Sequence, residues 1–309
     1  MNECTIEWNA LSLNEWDDLF RTIRRSTLLQ SYPYAQALCA CQHQRARWGL
    51  IRIGGAPAGL VQVTEAGALG LHGVIVDRGP LWLPGYGQAR HWVPFFAAFD
   101  RAFPRRLGRR RRIIPEIDQT QAILVPYVAV PRIKPYQTIW MDLRVDEDDL
   151  RAGLNRNWRN HLNRAERENV RVEWHKDGTA LPWLMRHHSA HRTVKNFQAA
   201  SPAFIRALAK YSIPRGDMLL GQAFAGDESV AGVLFFRHGA SATYQVGWSG
   251  EQGRKVNAHQ LLLWQGMMRL KQEGIQDLDL GGINDIAEGV KTFKEGMGGE
   301  TVALAGMYR

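Results

Sequence analysis

Residues 277–299 read Asp-Leu-Asp-Leu-Gly-Gly-Ile-Asn-Asp-Ile-Ala-Glu-Gly-Val-Lys-Thr-Phe-Lys-Glu-Gly-Met-Gly-Gly. The alternation through Leu278, Asp279 and Leu280 predicts a strand, with Asp279 on its wet face. Gly281-Gly282 at the strand end permits a sharp turn or the close approach of a ligand to the backbone. A helix should follow, and Lys294 sets an ammonium beside Phe293 near its end. Read locally, Lys294 completes a helix whose C-terminal dipole favours a cation, and Gly296 closes it.

Other groups could hold phosphate. Arg101 to Arg112 contains seven arginines, with Arg109, Arg110, Arg111 and Arg112 consecutive. Arg151, Arg156, Arg159, Arg164 and Arg167 recur further on. Such clusters bind polyanions by counterion release, and the competing reading of each is a solvated face. Arg159 and Arg164 stand five apart and share a helix face only loosely. The strand Tyr-Gln-Val-Gly-Trp-Ser, which carries Trp248, leads into residues 250–257 and then a helix. A helix N-terminus attracts anions, and Arg254 and Lys255 add charge; the alternative is an exposed Gly-rich loop. His187 and His191 have metal-ligand spacing, but the His-Glu-x-x-His glutamate is absent and no third ligand is apparent, so no metal is expected.

The 309 residues suggest about two domains. Lys plus Arg is 39 and Asp plus Glu is 30, a net charge of +9 that favours polyanionic partners without choosing among them. Hydrophobic residues make up 45%, enough for sizeable cores. No run has the ~18 apolar residues of a membrane span, and the first residues lack a signal-peptide pattern. Cys4, Cys39 and Cys41 include no Cys-x-x-Cys pair, which fits a reducing cytoplasm.

The positioning elements fall into two similar series. Helices are expected over 11–23, 31–42 and 91–103, with strands over 5–8, 48–53, 59–64, 73–76, 111–115 and 123–130. A strand at 138–143 closes the first series. The second has helices over 146–168, 181–193, 202–211, 257–273 and 286–295. Its strands fall at 170–174, 218–225, 230–238, 242–248, 276–280 and 301–308. Each half has a meander whose returning strand opens on Ala-Gly, at Ala58-Gly59 and Ala231-Gly232. This argues for duplicated mixed α/β units rather than one Rossmann domain.

Four segments resemble, in order and spacing, the Fem-type (FemABX) aminoacyltransferases of the N-acetyltransferase (GNAT) superfamily. They are Gln30-Ser31-Tyr32-Pro33-Tyr34-Ala35, Arg78-Gly79-Pro80-Leu81-Trp82, Trp158-Arg159-Asn160-His161-Leu162-Asn163-Arg164-Ala165, and Asp279-Leu280-Gly281-Gly282-Ile283 followed by Phe293-Lys294 and Gly298-Gly299. The resemblance spans nearly the whole chain. It implies an α/β (mixed α+β) fold of two tandem GNAT-like domains, each a mostly antiparallel twisted sheet flanked by helices. Their expected extents are 1–145 with a returning strand near 300–309, and 146–299. It implies aminoacyl transfer from aminoacyl-tRNA to an amine of a peptide acceptor, a peptidoglycan precursor being one candidate, in the cytoplasm. Peripheral membrane contact is compatible with that reading.

By resemblance, Lys294 stabilises charge as an amine attacks an ester carbonyl, with Phe293 and Asp279 beside it. Asp279, Asp285 and Glu288 are candidate bases, and substrate-assisted proton transfer is an equal alternative. Gly281, Gly282, Asp285, Lys195, Arg78, Tyr34 and Trp248 are expected at the substrate. Arg254, Lys255, Arg109–Arg112, Arg159 and Arg164 are expected at tRNA phosphates. No cofactor is expected, because residues 250–255 only approximate the acetyltransferase pyrophosphate pattern. The alternatives are an N-acyltransferase with acyl-CoA as co-substrate, and a non-catalytic RNA- or phosphate-binding protein on the same scaffold.

Overall fold

A computed structural model describes residues 3–131, 133–195 and 200–309, except the side chains of 191–195 and 286. The chain divides into two compact units, Met1–Gln137 with Val302–Arg309, and Thr138–Thr301.

The first unit opens with β1 (Cys4–Trp8), α1 (Leu13–Thr22) and α2 (Tyr32–Gln42). Ser12 starts α1 with a reciprocal cap: its hydroxyl accepts from the Glu15 N–H at 3.3 Å, and the Glu15 carboxylate accepts from the Ser12 N–H at 2.8 Å. Ser31 caps α2, with Pro33 in the first turn. Then come β2 (Arg45–Ile53), β3 (Ala56–Ala68), β4 (Leu71–Asp77), β5 (Leu81–Trp82), α3 (Ala89–Ala102) and β6 (Arg109–Ile114). The sheet order is β1-β2-β3-β4-β6, with β5 against β3. Short hairpins make the pairs antiparallel, whereas the long connection through α3 brings β6 parallel to β4. Trp92, Phe95, Phe96 and Phe99 recur at helical spacing on α3 and bury against Val61, Val63, Val74 and Val76.

The second unit contains β7 (Gln137–Asp142), α4 (Glu147–Gly153), α5 (Arg156–Ala165), β8 (Val170–His175), α6 (Leu181–Lys195) and α7 (Pro202–Ser212). It continues with β9 (Met218–Ala225), β10 (Glu228–His238), β11 (Ser241–Ser249), α8 (Glu251–Lys255) and α9 (Ala258–Gln272). It closes with β12 (Asp277–Asp279), α10 (Glu288–Glu295) and β13 (Glu300–Ala303). The sheet order is β13-β7-β12-β11-β10-β9-β8. The β9-β10-β11 meander is antiparallel, and α9 carries the chain over to β12, which runs parallel to β11. Trp158 and Leu162 of α5, Leu262 and Met267 of α9, and Phe235 of β10 share one core.

Five expectations change. The strand at 138–143 does not close the first sheet: β7 pairs with β12, Asp279 opposite Trp140, in the second. Residues 123–130 are not a strand. Asp118 nucleates a 3-10 turn over Gln119–Leu124 by accepting from the Thr120 N–H at 2.8 Å, and Pro126 then offers no ladder donor. The helix over 146–168 is two helices, because Asn155 accepts from the Asn157 N–H at 3.0 Å and caps a new start. Residues 250–257 are not an open loop, because they contain α8 over Glu251–Lys255. The strand over 301–308 ends at Ala303, and Tyr308 makes isolated bridges to Ile113 and Ala129.

Candidate active site

The parallel pairing of β11 with β12 covers only Ser241 to Thr243 against Asp277 to Asp279. Beyond it β11 runs on to Ser249, while the other strand breaks into Gly281-Gly282. A β-bulge at this level leaves Gln245 unpaired between Tyr244 and Val246 opposite β10. Gly281 takes φ +74°, and an added Cβ would lie 3.1 Å from the Tyr244 carbonyl oxygen and 3.6 Å from Lys294 Nζ. The position therefore favours glycine on both backbone and space.

Lys294 reaches back from α10 into this corner. Its Nζ donates to the carbonyl oxygens of Gly281 at 3.1 Å and Gly282 at 3.0 Å. The side chain is buried and lies over the Tyr244 ring, 5.8 Å from its centroid. Burial pushes its pKa down to about 8, and the nearby Asp279 charge opposes that shift. An ammonium has three N–H donors, so two backbone contacts leave one for a substrate. Charged, the group can stabilise a developing oxyanion; neutral, it can accept a proton. Lys294 does stand in the last turn of α10, with Gly296 at its C-cap, and its ammonium bonds the strand-end carbonyls rather than those of its own helix.

Asp279 is buried, not on a wet face. Its carboxylate accepts from the Thr138 hydroxyl and, at 2.8 Å, from the Gly281 N–H. It braces the Gly-Gly turn. Phe293 packs between the rings of Trp158, at 6.0 Å, and His259, at 5.4 Å.

Two further groups were not singled out from sequence. The Tyr244 hydroxyl lies 2.9 Å from His259 Nε2, and both side chains are partly buried. Burial lowers the His259 pKa to about 4, with the Trp248 backbone opposing, so the ring is neutral and can accept from the tyrosine hydroxyl. Burial also raises the tyrosine pKa. Gly247 makes room for the pair: a Cβ there would sit 1.8 Å from the Tyr244 hydroxyl oxygen and 2.5 Å from His259 Cε1. A glycine inside a strand is the one local signal of such a close approach.

The remaining expected site residues do not gather at this corner. Asp285 is exposed and pairs with Lys291 at 3.0 Å. Trp248 packs on His187, ring centroids 4.0 Å apart, and on Trp183. That contact occupies His187, whose pKa burial lowers. Lys195 and His191 lie outside the residues whose side chains are described. Among the described residues no cluster of three or more His, Cys, Asp or Glu could hold a metal ion.

In the first unit, Arg78 is buried in a two-pronged ion pair with Glu116, at 2.9 and 2.7 Å, and lies over the Tyr136 ring. Tyr34 is half-buried; desolvation and then the Asp77 charge raise its pKa. The arginine run is neither a free phosphate clamp nor a uniform solvated face, because β6 alternates its side chains. Arg111 is buried against Asp100, Arg112 bonds Asp77 at 2.7 Å, and Arg109 bonds His72 at 3.1 Å. Only Arg110 of the four is exposed without a partner among the described residues.

The phosphate candidates of the second unit divide similarly. Arg254 donates to the Ser249 carbonyl at 2.8 Å, and Lys255 pairs with Glu251 at 2.8 Å. The N–H groups of Arg254, Val256 and Asn257 are taken by helical carbonyls. Arg159 donates to the Ala152 carbonyl at 3.2 Å. Arg156, Arg164 and Arg167 are exposed and have no partner among the described residues.

Residues 152–295 match the model of the acetyltransferase (GNAT) domain family. The crystal structure of FemX is similar over 98% of this chain and 96% of its own, with TM-score 0.82 and 14% identity. A tandem GNAT protein from the clavulanic acid biosynthesis pathway, solved without AcCoA, is similar over 99% and 98%, with TM-score 0.51 and 14% identity. The C-terminal domain of a protein designated a lysylphosphatidylglycerol synthetase, from Agrobacterium fabrum, is similar over 79% of each chain, with TM-score 0.52 and 14% identity. No curated protein matches the sequence. The chain has the fold of FemX over nearly its whole length, with the acetyltransferase (GNAT) domain match in residues 152–295. Its two GNAT-like units in tandem make up the Fem-type fold.

Proposed function

We propose that the protein moves an aminoacyl group from aminoacyl-tRNA to an amine of a peptide acceptor, a peptidoglycan precursor being the leading candidate. The observation that carries this reading is the buried ammonium of Lys294, held by two backbone carbonyls where β11 and β12 part. The acceptor amine attacks the ester carbonyl; the C–N bond forms, the C–O bond breaks, and the amine proton leaves with the tRNA hydroxyl. Lys294 stabilises the negative charge on oxygen during that exchange. Asp279 and Thr138 hold the Gly281-Gly282 turn in place, and the Tyr244–His259 pair supports the face over which the ammonium lies.

The tRNA part of the reading is supported by Arg156 and Arg164 on α5 and Arg167 just beyond it, exposed cations that no carboxylate among the described residues occupies. It is also supported by the Fem-type sequence motifs and by the likeness to a lysylphosphatidylglycerol synthetase, whose named product is an aminoacylated lipid. A second reading, with acyl-CoA as donor, is favoured by the acetyltransferase domain match. Against it, residues 250–255 only approximate the acetyltransferase pyrophosphate pattern. Calorimetry separates the two: coenzyme A at ~100 µM, within the usual range for a substrate, should give no saturable heat. Saturable coenzyme A binding would replace the tRNA reading with the second one.

A further inference from the structure

Two tight turns of the first unit stand side by side. One joins β3 to β4 through Leu69-Gly70, with Ala68 opposite Leu71. The other, at Leu107-Gly108, enters β6. The His72 N–H donates to the Gly108 carbonyl at 2.8 Å, and a Cβ on Gly108 would lie 2.5 Å from the Gly70 carbonyl oxygen. The two tips therefore form one projection. On it Leu69 is 103% exposed, Leu107 102% and Leu71 64%. Scattered exposed leucines are ordinary, but three on two touching turns form an apolar patch.

Leu69 is misplaced for its own turn. It takes φ +51° ahead of Gly70 at +81°, the two-residue hairpin geometry that favours Asn-Gly. A leucine there costs local conformational energy and gains no packing within the described residues; an apolar partner outside the chain would offset that cost.

The surrounding charge identifies that partner. Arg105, Arg106, Arg109 and Arg110 flank Leu107 in sequence. They line a groove of about 710 Å³ together with Arg111, Arg112 and Arg309, and no acidic residue lines it. Asp100 and Asp77 neutralise Arg111 and Arg112. Arg109 has only neutral hydrogen-bond partners, His72 and the Pro104 carbonyl. Arg105, Arg106 and Arg110 have no partner among the described residues. Desolvation and then the Arg106 charge lower the pKa of Arg109, and the Glu65 charge opposes them. A nucleic acid would use the arginines but has no use for exposed leucines at the tip. An anionic bilayer uses both: the leucines enter the headgroup–acyl boundary and the arginines meet lipid phosphates.

We infer that the Leu69–Leu71 and Leu107 turns, within their arginine collar, dock this protein on an anionic membrane surface. The inference concerns residues of the first unit alone and does not depend on the donor or acceptor proposed above.

Co-sedimentation of the full chain with vesicles tests it. Vesicles of phosphatidylcholine mixed with anionic phosphatidylglycerol should pull the protein down. Pure phosphatidylcholine should do so far more weakly. Leu69→Ser with Leu107→Ser should weaken binding roughly 10²-fold, from the burial of two leucines. Arg105→Gln, Arg106→Gln and Arg110→Gln together should weaken it on the order of 10²-fold, about fivefold for each charge. All these side chains are at the surface, so thermal melts should match the parent. The leucine variant should keep its acyl transfer to an acceptor in solution. Absence of vesicle binding by the parent would overturn the inference, and so would binding that ignores the leucines. Arginine-dependent capture of a tRNA pool without vesicle binding would make the groove a nucleic-acid site instead.

Discussion

Lys294→Met keeps the length and apolar stem of the side chain and removes the charge. It abolishes two charge-assisted hydrogen bonds, to Gly281 and Gly282, each worth about 1.5–3 kcal/mol. It also relieves a buried charge, whose cost is reflected in a pKa lowered from 10.5 to about 8, or ~3 kcal/mol. The effects largely offset, so net stability should fall by no more than about 3 kcal/mol, a melting shift of at most roughly 6–12 °C for a unit of this size. Losing a transition-state electrostatic contact instead costs ~2.7–4 kcal/mol, or 10²–10³ in rate. Single-turnover aminoacyl transfer, with donor binding measured separately, tells these apart. Turnover within about threefold of the parent would refute the assigned role. The parent's pH profile adds a sign: Lys294 is charged below its pKa, so turnover should fall as pH rises through about 8. A rise through the same pH would make the neutral amine a base.

Further outcomes follow from the neighbouring groups. Gly247→Ala puts a methyl 1.8 Å from the Tyr244 hydroxyl oxygen and should destabilise by about 1–3 kcal/mol in denaturant melts. His259 has its pKa lowered from 6.5 to about 4, so between those values the unfolded chain binds more protons. Stability should therefore fall as pH drops through 6.5 toward 4, by up to ~3 kcal/mol, and His259→Gln should lessen that fall in urea titrations. Arg156→Gln, Arg164→Gln and Arg167→Gln together should reduce the log–log salt slope of tRNA binding by roughly 2–3. An unchanged slope would mean that this stripe is only a solvated face.

The sequence made much of the scaffold legible because caps and periodicity are local signals. Ser12 with Glu15, Ser31 with Pro33, and the Trp92-Phe95-Phe96-Phe99 spacing each announce a helix and its buried face. The closing segment was legible as a strand, a Gly-Gly turn and a lysine. Its depth was not: Asp279 alternates like a surface residue, yet Thr138, 141 residues away in sequence, covers it. The same limit hid the Tyr244–His259 pair, which joins β11 to α9 without any local pattern. Charge was the least legible feature. Four consecutive arginines read as one patch, but strand alternation and the partners Asp100, Asp77 and His72 give each a different environment.

The central claim is that the group moved is an aminoacyl ester carried on tRNA. The most direct measurement incubates the protein with a radiolabelled aminoacyl-tRNA pool and a panel of amine acceptors, with acetyl-CoA in parallel. The account predicts that label passes from tRNA into a product stable to mild alkali, as an amide is and an ester is not, and that Lys294→Met abolishes the transfer. Lys294-dependent acylation from acetyl-CoA, with aminoacyl-tRNA left intact, would contradict it.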